Sequence, residues 1–219
     1  MKVVILAGGR GTRMGGDQPK PMVQIGGIPI LSHIMGIYKK YGHSEFIIAC
    51  GYKGDVIREH YAGDPNVTCL DTGRDSGDGE RVWQCKQHIG SDPFLLTYGD
   101  GLADVNINKL IKHHNNLGSA CTMTVVHQPV RFGKPVLDGF DVTDFTEKGV
   151  GNDWINGGFF VVTGEFPREN WLAYGVLPWL AQHNDLTAYY HAGFWQCMDT
   201  QRDVDYLNQL WSEGNAPWL

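Results

Sequence analysis

Short apolar runs rich in β-branched residues recur through the first half of the chain. They occupy residues 3–7, 46–50, 67–70, 94–98 and 121–126, and runs of this length predict buried β-strands. Between them, apolar residues repeat with helical spacing over 30–38, 56–61 and 107–111. Because strands and helices alternate, we predict an α/β fold with a mostly parallel sheet and helices on both faces.

The pattern changes after residue 132. Closely spaced strand candidates follow at 135–138, 142–146 and 158–163, and the apolar residues between 204 and 211 predict a closing helix over 202–211. No internal repeat or linker divides the 219 residues, and a chain of this length is commonly one domain. We therefore predict a single domain over 1–219, in which a core over 1–131 is covered by a mixed β elaboration and a closing helix over 132–219.

Charge and cysteine content exclude several classes of protein. The 24 acidic and 18 basic residues give a net charge of -6, which argues against a broad basic surface for nucleic acid or anionic membrane. The five cysteines form no C-x-x-C pair, so neither a disulfide framework nor a zinc ribbon fits, and no apolar run approaches the ~18 residues of a membrane span. We expect a cytoplasmic protein without nucleic-acid or membrane partners.

The chain contains 29 glycines, and many of them follow the first predicted strand. The loop there reads LAGGRGTRMGG and carries Arg13, and Lys20 follows between two prolines. Ligands of open α/β sheets bind beyond the carboxyl ends of the strands, and glycines let backbone amides approach a phosphate closely. We predict a phosphate site here. The structural alternatives are a flexible surface loop and, for Lys20, a solvated side chain.

Two familiar glycine loops do not match this segment. A P-loop requires a glycine followed by Lys and Ser or Thr, and none occurs here. The dinucleotide fingerprint requires a third glycine where Met14 stands and an acidic residue after the second strand, where Cys50 and Gly51 are found. No G-x-S-x-G elbow and no H-x-x-x-H zinc pattern is present either.

The loop after the first strand instead reads G-G-x-G-T-R and is followed by P-K-P. This pattern is similar to the one found in the sugar-phosphate nucleotidyltransferases. Within that superfamily, the segments PKPMVQIGG, ACGYKGDVI, TYGDG, INGGFF and GFWQCMDT and the final APW resemble the glucose-1-phosphate cytidylyltransferases. Matching segments run in order from residue 1 to about residue 218. The resemblance implies a Rossmann-like nucleotidyltransferase fold whose residues 1–131 bind the nucleotide and whose residues 132–219 bind a sugar phosphate.

The resemblance also implies an activity and a set of site residues. CMP would pass from CTP to a sugar 1-phosphate, glucose 1-phosphate in the family, with Arg13, Lys20 and Asp100 as catalytic residues. Mg²⁺ would be held by Asp100 in TYGDG and Asp199 in CMDT, as carboxylates hold it in other phosphate-transfer sites. The implied nucleotide contacts are Leu6, Ala7, Gly8, Gly9, Arg10, Gly11, Thr12, Arg13, Lys20, Thr72, Arg81 and Gly99. A homo-oligomer is implied as well.

Each carboxylate has a structural alternative. Asp100 could instead belong to an Asx-turn and Asp199 could cap the last helix. Asp104 and Asp203 each lie four residues further along, and a helix surface explains both.

On the sugar side, the resemblance implies contacts from Glu147, Lys148, Asn156, Gly157 and Trp195. A lysine can bind a monoester phosphate, a carboxylate and an amide can bind hydroxyls, and an indole can cover a sugar face. The alternatives are an exposed ion pair for Glu147 with Lys148 and a core aromatic for Trp195.

The sequence departs from the family at three places. The loop between GTR and Lys20 is shorter, Glu80 stands where the family arginine is expected, and Gly149 replaces a proline after Lys148. Arg81 either takes over the arginine's contact or the contact is absent. The alternative functions are the same chemistry with another nucleotide or another phosphorylated acceptor, and a catalytically silent nucleotide-sensing subunit on the same fold.

Overall fold

A computed structural model describes residues 1–11, 18–129, 134–146, 150–163 and 176–219. The strands are β1 Val3–Ala7, β2 Gln24–Ile25, β3 Ile28–Pro29, β4 Phe46–Cys50, β5 Val67–Asp71, β6 Phe94–Tyr98, β7 Gly101–Ala103, β8 Cys121–Pro129, β9 Lys134–Asp138, β10 Asp141–Thr146, β11 Val150–Val162, β12 Leu186–His191 and β13 Trp195–Cys197. The helices are α1 Ile30–Lys39, α2 Gly54–Tyr61, α3 Asp78–Ile89, α4 Ile107–Leu117, α5 Val176–Gln182 and α6 Gln201–Ser212, and a 3₁₀ turn covers Lys20–Met22.

A seven-stranded sheet in the order β12-β8-β11-β6-β1-β4-β5 organises the molecule. β1 pairs in parallel with β4 and β6, β4 pairs in parallel with β5, and β12 pairs in parallel with β8. β11 runs antiparallel to both of its neighbours, β6 and β8. The predicted α/β class with a mostly parallel mixed sheet is therefore confirmed.

The central strand β1 is buried on both faces, which explains its continuous apolar sequence. Val3 and Ile5 pack into one apolar cluster with residues of α1, α2, α4 and α6. Val4 and Leu6 pack into a second cluster with residues of α3 and α5. Because neighbouring strand residues point to opposite faces, β1 contributes side chains to both apolar clusters. Helices lie on both sides of the sheet, as predicted.

The second half of the chain extends the sheet with its strands, and its helices α5 and α6 pack against the two faces. β11 is inserted between β6 and β8, β12 forms the outer edge, and β9 and β10 form a separate hairpin. A short pair of β7 with β13 joins the middle of the chain to its last quarter. Among the described helices, none is both long enough and apolar enough to cross a bilayer.

The C-terminal residues pack against the segment that follows Lys20. Asn208 on α6 accepts a hydrogen bond from the amide of Gly26 at 2.9 Å, and the indole of Trp211 occupies the space where a side chain on residue 26 would lie. The Trp218 indole donates to His33 at 3.3 Å. The end of the chain thus braces the β2–β3 turn and α1.

Candidate active site

A cluster of three charged side chains lies at the carboxyl ends of the central strands. The Lys20 ammonium is 2.6 Å from a carboxylate oxygen of Asp100 and 2.7 Å from one of Asp199. All three side chains are mostly buried, with exposed fractions of 14%, 27% and 26%. The structure therefore brings together three of the residues that the sequence indicates for phosphate and metal chemistry.

Local structure fixes the lysine and the first carboxylate. Lys20 begins the 3₁₀ turn, and its neighbours Pro21 and Met22 are buried, so the backbone beneath the ammonium is held by packing. Asp100 lies in the turn between β6 and β7, and its carbonyl accepts a hydrogen bond from the amide of Met198 at 2.8 Å. The β7–β13 pair thus brings the chain around Asp100 next to the chain around Asp199.

Asp199 is positioned by the carboxylate of Asp203, which the sequence pattern had placed on a helix surface. Asp203 accepts hydrogen bonds from the amides of Asp199 and Thr200, at 2.9 and 2.8 Å, and from the side chain of Gln196 at 3.0 Å. Thr200 caps α6 and forms a capping box with Asp203. Asp199 is therefore not the helix cap. Asp203 is a buried residue that positions Asp199, and the T-x-x-D spacing of Thr200 and Asp203 in the sequence could have predicted its role as part of a capping box.

The two carboxylates of the cluster shift the pKa of Lys20. Burial alone would lower the pKa of Lys20, but the carboxylates of Asp100 and Asp199 outweigh it and raise that pKa to about 12. The lysine is consequently a fixed cation at neutral pH. Without it, the two carboxylates would face each other in a partly dry site at a high electrostatic cost.

The donor atoms near these carboxylates fit a divalent metal ion. Ligand atoms of Asp100, Cys197 and Asp199 lie within 4.8 Å of one another. Burial raises the pKa of the Cys197 thiol, so this thiol is protonated at neutral pH and is a weak ligand. Two carboxylates completed by water and phosphate oxygens are a typical Mg²⁺ environment.

A crevice of about 350 Å³ opens beside the charge cluster. The residues that line it are Leu6, Ala7, Gly8, Gly9, Gly11, Lys20, Pro21, Asp78, Tyr98, Gly99, Asp100 and Asp199. Most of the described residues with a predicted nucleotide contact are among them. Arg10, Thr72 and Arg81 are not in this lining: Arg10 is exposed and pairs with Asp75, and Thr72 is buried.

Arg81 lies behind the glycine loop. Its guanidinium donates to the side chain of Thr72 at 2.7 Å and to the carbonyls of Gly73, Cys50 and Gly8 at 2.8, 3.2 and 3.2 Å. A Cβ on Gly8 would lie only 2.2 Å from the guanidinium carbon, so a glycine is required at this position for the close approach. Arg81 therefore holds together the loops that follow β1, β4 and β5.

Three of the residues predicted to contact the sugar phosphate, Asn156, Gly157 and Trp195, take part in hydrogen bonds within the protein itself. The Trp195 indole donates to the carbonyl of Gly157 at 2.8 Å, and the Asn156 amide oxygen accepts from the amide of Gly158 at 2.9 Å. Neither Asn156, Gly157 nor Trp195 lines the crevice. The indole is half-buried and packs against the core, in agreement with its alternative interpretation.

Four predicted site residues, Thr12, Arg13, Glu147 and Lys148, lie outside the described residues. Three residues that line the crevice, Pro21, Asp78 and Tyr98, were not predicted as site residues from the sequence. Burial raises the pKa of Tyr98 to about 12, against a hydrogen bond with Asn156 that lowers it. The proximity of Tyr98 to Asp100 in TYGDG is the signal that could have identified it.

A glycine loop at the end of the first parallel strand, next to a lysine and two convergent carboxylates, defines a nucleotidyltransferase site. A family model described as a MobA-like NTP transferase domain matches residues 3–146. The glucose-1-phosphate cytidylyltransferase of Salmonella typhi is 41% identical over an alignment that includes all of this chain and 98% of that protein. A probable glucose-1-phosphate cytidylyltransferase of Bacillus subtilis is 38% identical over all of this chain and 99% of that protein.

The fold also occurs in solved structures of lower identity. HddC from Yersinia pseudotuberculosis, complexed with GMP-PN, superposes with a TM-score of 0.73 at 24% identity, covering 96% of this chain and 99% of that one. The chain belongs to the glucose-1-phosphate cytidylyltransferase family, within the MobA-like NTP transferases. Because the alignment with the Salmonella relative spans 254 positions, that relative carries residues that this 219-residue chain lacks.

Proposed function

We propose that this protein transfers CMP from CTP to a sugar 1-phosphate, with glucose 1-phosphate as the acceptor, and releases pyrophosphate. The observation that carries the proposal is the convergence of Lys20 with Asp100 and Asp199 at the glycine-lined crevice. The names of full-length relatives at 38–41% identity supply the nucleotide and the acceptor.

In the proposed reaction, a phosphate oxygen of the sugar 1-phosphate attacks the α-phosphorus of CTP. The new P–O bond forms as the bond between the α- and β-phosphates breaks, and the electron pair leaves with pyrophosphate. No general base is needed, because a phosphate monoester is already an anionic nucleophile near neutral pH. The protein's task is therefore to hold two anions together and to stabilise the charge that moves between them.

The residues of the crevice divide that task. The backbone at Gly8, Gly9 and Gly11 can approach the triphosphate closely, and the Lys20 ammonium, a fixed cation, donates to phosphate oxygens. Arg13, from the same loop, is proposed as a second cation. Asp100 and Asp199 would hold Mg²⁺, which when bound neutralises charge on the phosphates.

We further propose a cytoplasmic homo-oligomer. The five cysteines are free thiols, which suits a reducing compartment. Phe140, at the tip of the β9–β10 hairpin, and Tyr190, on the edge strand β12, expose large aromatic side chains that a subunit interface would cover. Light scattering on the purified protein tests the oligomer.

Turnover of defined substrates tests the proposed reaction. The purified protein is incubated with Mg²⁺, glucose 1-phosphate and each of the common nucleoside triphosphates, and pyrophosphate and nucleotide sugar are measured. We expect both products with CTP, and neither when the sugar phosphate or Mg²⁺ is omitted. Absence of turnover across all nucleotides and a panel of sugar phosphates would refute the enzyme and favour a nucleotide-sensing subunit.

A matched pair of variants links the reaction to the site. Asp100→Asn removes one carboxylate charge from the cluster, and we expect it to lower kcat about 100-fold or more. Asp92→Asn makes the same change at an exposed position in the loop before β6, and it should leave kcat unchanged. Equal activity of the two variants would contradict the proposed site.

A further inference from the structure

Asp78 is a third carboxylate in the lining of the crevice, separate from the two carboxylates that pair with Lys20. It is the first residue of α3, follows the cap residue Gly77, and lines the crevice with Leu6, Ala7 and Gly8. Its carboxylate makes no hydrogen bond or short ion pair with any residue in the described ranges. Burial raises its pKa, Arg81 lowers it, and Asp100 raises it further. A half-buried acidic residue therefore lines the crevice in which we propose that the nucleotide binds.

The chemistry of the site limits what this carboxylate can contact. A phosphate group would be repelled by it at close range. The cluster suited to a metal ion consists of Asp100, Cys197 and Asp199, and Asp78 does not belong to it. What remains is a neutral O–H or N–H donor on a substrate.

Position decides which substrate supplies that donor. The crevice is lined by the strand end and glycine loop of β1, whereas Asn156, Gly157 and Trp195 of the sugar side are absent from its lining. Arg81, one turn further along α3, is bonded to Gly8 in the same loop. The start of α3 is therefore a wall of the nucleotide side.

We propose that Asp78 is a specificity-determining residue whose carboxylate accepts a hydrogen bond from the nucleoside part of the nucleotide. This inference rests on the proposed function, because it names a contact in the same crevice. Two donors share the required chemistry: the N4 amino group of cytosine and a ribose hydroxyl. Uracil carries an acceptor where cytosine carries that amino group, so a carboxylate there would favour CTP over UTP.

Two substitutions at Asp78 and one control separate these contacts from a structural role. Asp78→Asn keeps the shape, removes the charge and offers an N–H, and Asp78→Ala removes the group. Glu80→Gln is the control, because it removes another first-turn acid of α3 that does not line the crevice. For each protein, kcat/KM is measured with CTP, UTP, 2′-deoxy-CTP and 3′-deoxy-CTP, together with the melting temperature.

The ratios between nucleotides identify the donor. If the donor is the cytosine amino group, the CTP/UTP ratio of kcat/KM falls about 10- to 100-fold in Asp78→Asn and the preference for ribose is unchanged. If the donor is a ribose hydroxyl, the preference for CTP over one deoxy analogue falls by a similar factor in Asp78→Ala and the base preference is unchanged. Glu80→Gln should move no ratio.

The outcomes also separate this inference from the proposed function. Ratios that stay within twofold of wild type in both Asp78 variants overturn the inference, even if the melting temperature falls, because a structural role affects all nucleotides alike. In that case wild-type turnover of CTP still supports the proposed function. If the wild-type protein turns over no nucleotide, the function fails and the inference fails with it.

Discussion

The proposed nucleotide side and the proposed sugar side of this molecule differ in what their polar side chains contact. On the nucleotide side, Lys20, Asp100 and Asp199 face one another at the edge of an open crevice. On the sugar side, Trp195 and Asn156 direct polar atoms to the backbone of β11. The first arrangement places charged side chains at the crevice, where they could contact phosphates. The second holds the backbone of β11 in place. We therefore expect variants on the two sides to fail in different ways.

The largest effect should come from removing the lysine. Lys20→Ala deletes the cation that neutralises two carboxylates, and we expect kcat to fall about 100- to 1,000-fold, as for other charge-stabilising groups. Steady-state kinetics measure it. Lys112→Ala, at an exposed position of α4, is the matched control. A loss below tenfold would show that the nucleotide side does not depend on this charge.

Arg81→Met should act mainly on the stability of the fold. The substitution removes the hydrogen bonds that the guanidinium donates to the carbonyls of Gly8, Cys50 and Gly73. The first two carbonyls keep an amide donor, from Tyr52 and Thr72. We expect the free energy of unfolding to fall by about 2–4 kcal/mol, because several bonds from one buried charged group are lost together. Urea denaturation measures it, with Arg202→Met on the exposed face of α6 as the control. If Arg81→Met is as stable as the control, the guanidinium does not hold these loops together.

A substitution on the proposed sugar side should have a smaller effect, and it should weaken the binding of the sugar phosphate. Trp195→Phe keeps an aromatic ring but removes the indole N–H that bonds Gly157. We expect a stability loss of about 1 kcal/mol and a rise of a few fold in the KM for the sugar phosphate. Kinetics with each substrate varied in turn will show it. A rise in the KM for CTP instead would contradict the division between the two sides.

Stability should also depend on pH, because two histidines are buried. Burial lowers the pKa of His33, on α1, and of His114, on α4, below the ordinary 6.5. A histidine of this kind binds fewer protons when folded than when unfolded, so the free energy of unfolding falls as pH drops below about 6.5. The slope is at most about 1.4 kcal/mol per pH unit for each residue.

Substitution of one histidine tests whether the two sides unfold together. His114 bonds the hydroxyls of Thr122 and Thr163 at 2.9 and 2.7 Å. In His114→Gln, urea unfolding between pH 7.5 and 5.5 should keep a single transition with a smaller pH slope. The exposed His183→Gln serves as the control. Two separate transitions would show that the sheet does not couple the sides.

The sheet core was predictable because its signal is local. The strands at 3–7, 46–50 and 94–98 are confirmed residue for residue, since buried parallel strands are continuous apolar runs. α3 was not predicted. Its sequence is rich in polar and charged residues, and one of its buried positions is occupied by Arg81, so the apolar residues of its buried face do not form a clear helical pattern. β12 and β13 were missed too, because their half-buried sequences depend on partners far away in the chain.

Only the site residues that lie in recognisable sequence motifs could be predicted. Lys20, Asp100 and Asp199 lie in short segments that resemble a known family, and the structure places them together. Asp203 was assigned to a surface because its burial follows from the way β13 turns into α6. Asp78 was missed because the entry of a first-turn acid into a crevice depends on how α3 lies against the loop after β1.

The pairing of Lys20 with Asp199 also fixes an order of events during synthesis. The two residues are 179 positions apart, and at about 5–20 residues per second a ribosome needs roughly 10–40 s to travel between them. During that interval the growing chain carries the glycines proposed to bind phosphate but lacks the second carboxylate. A message broken before the codon for Asp199 would therefore yield a chain that keeps its glycine loop without ever completing the charge cluster.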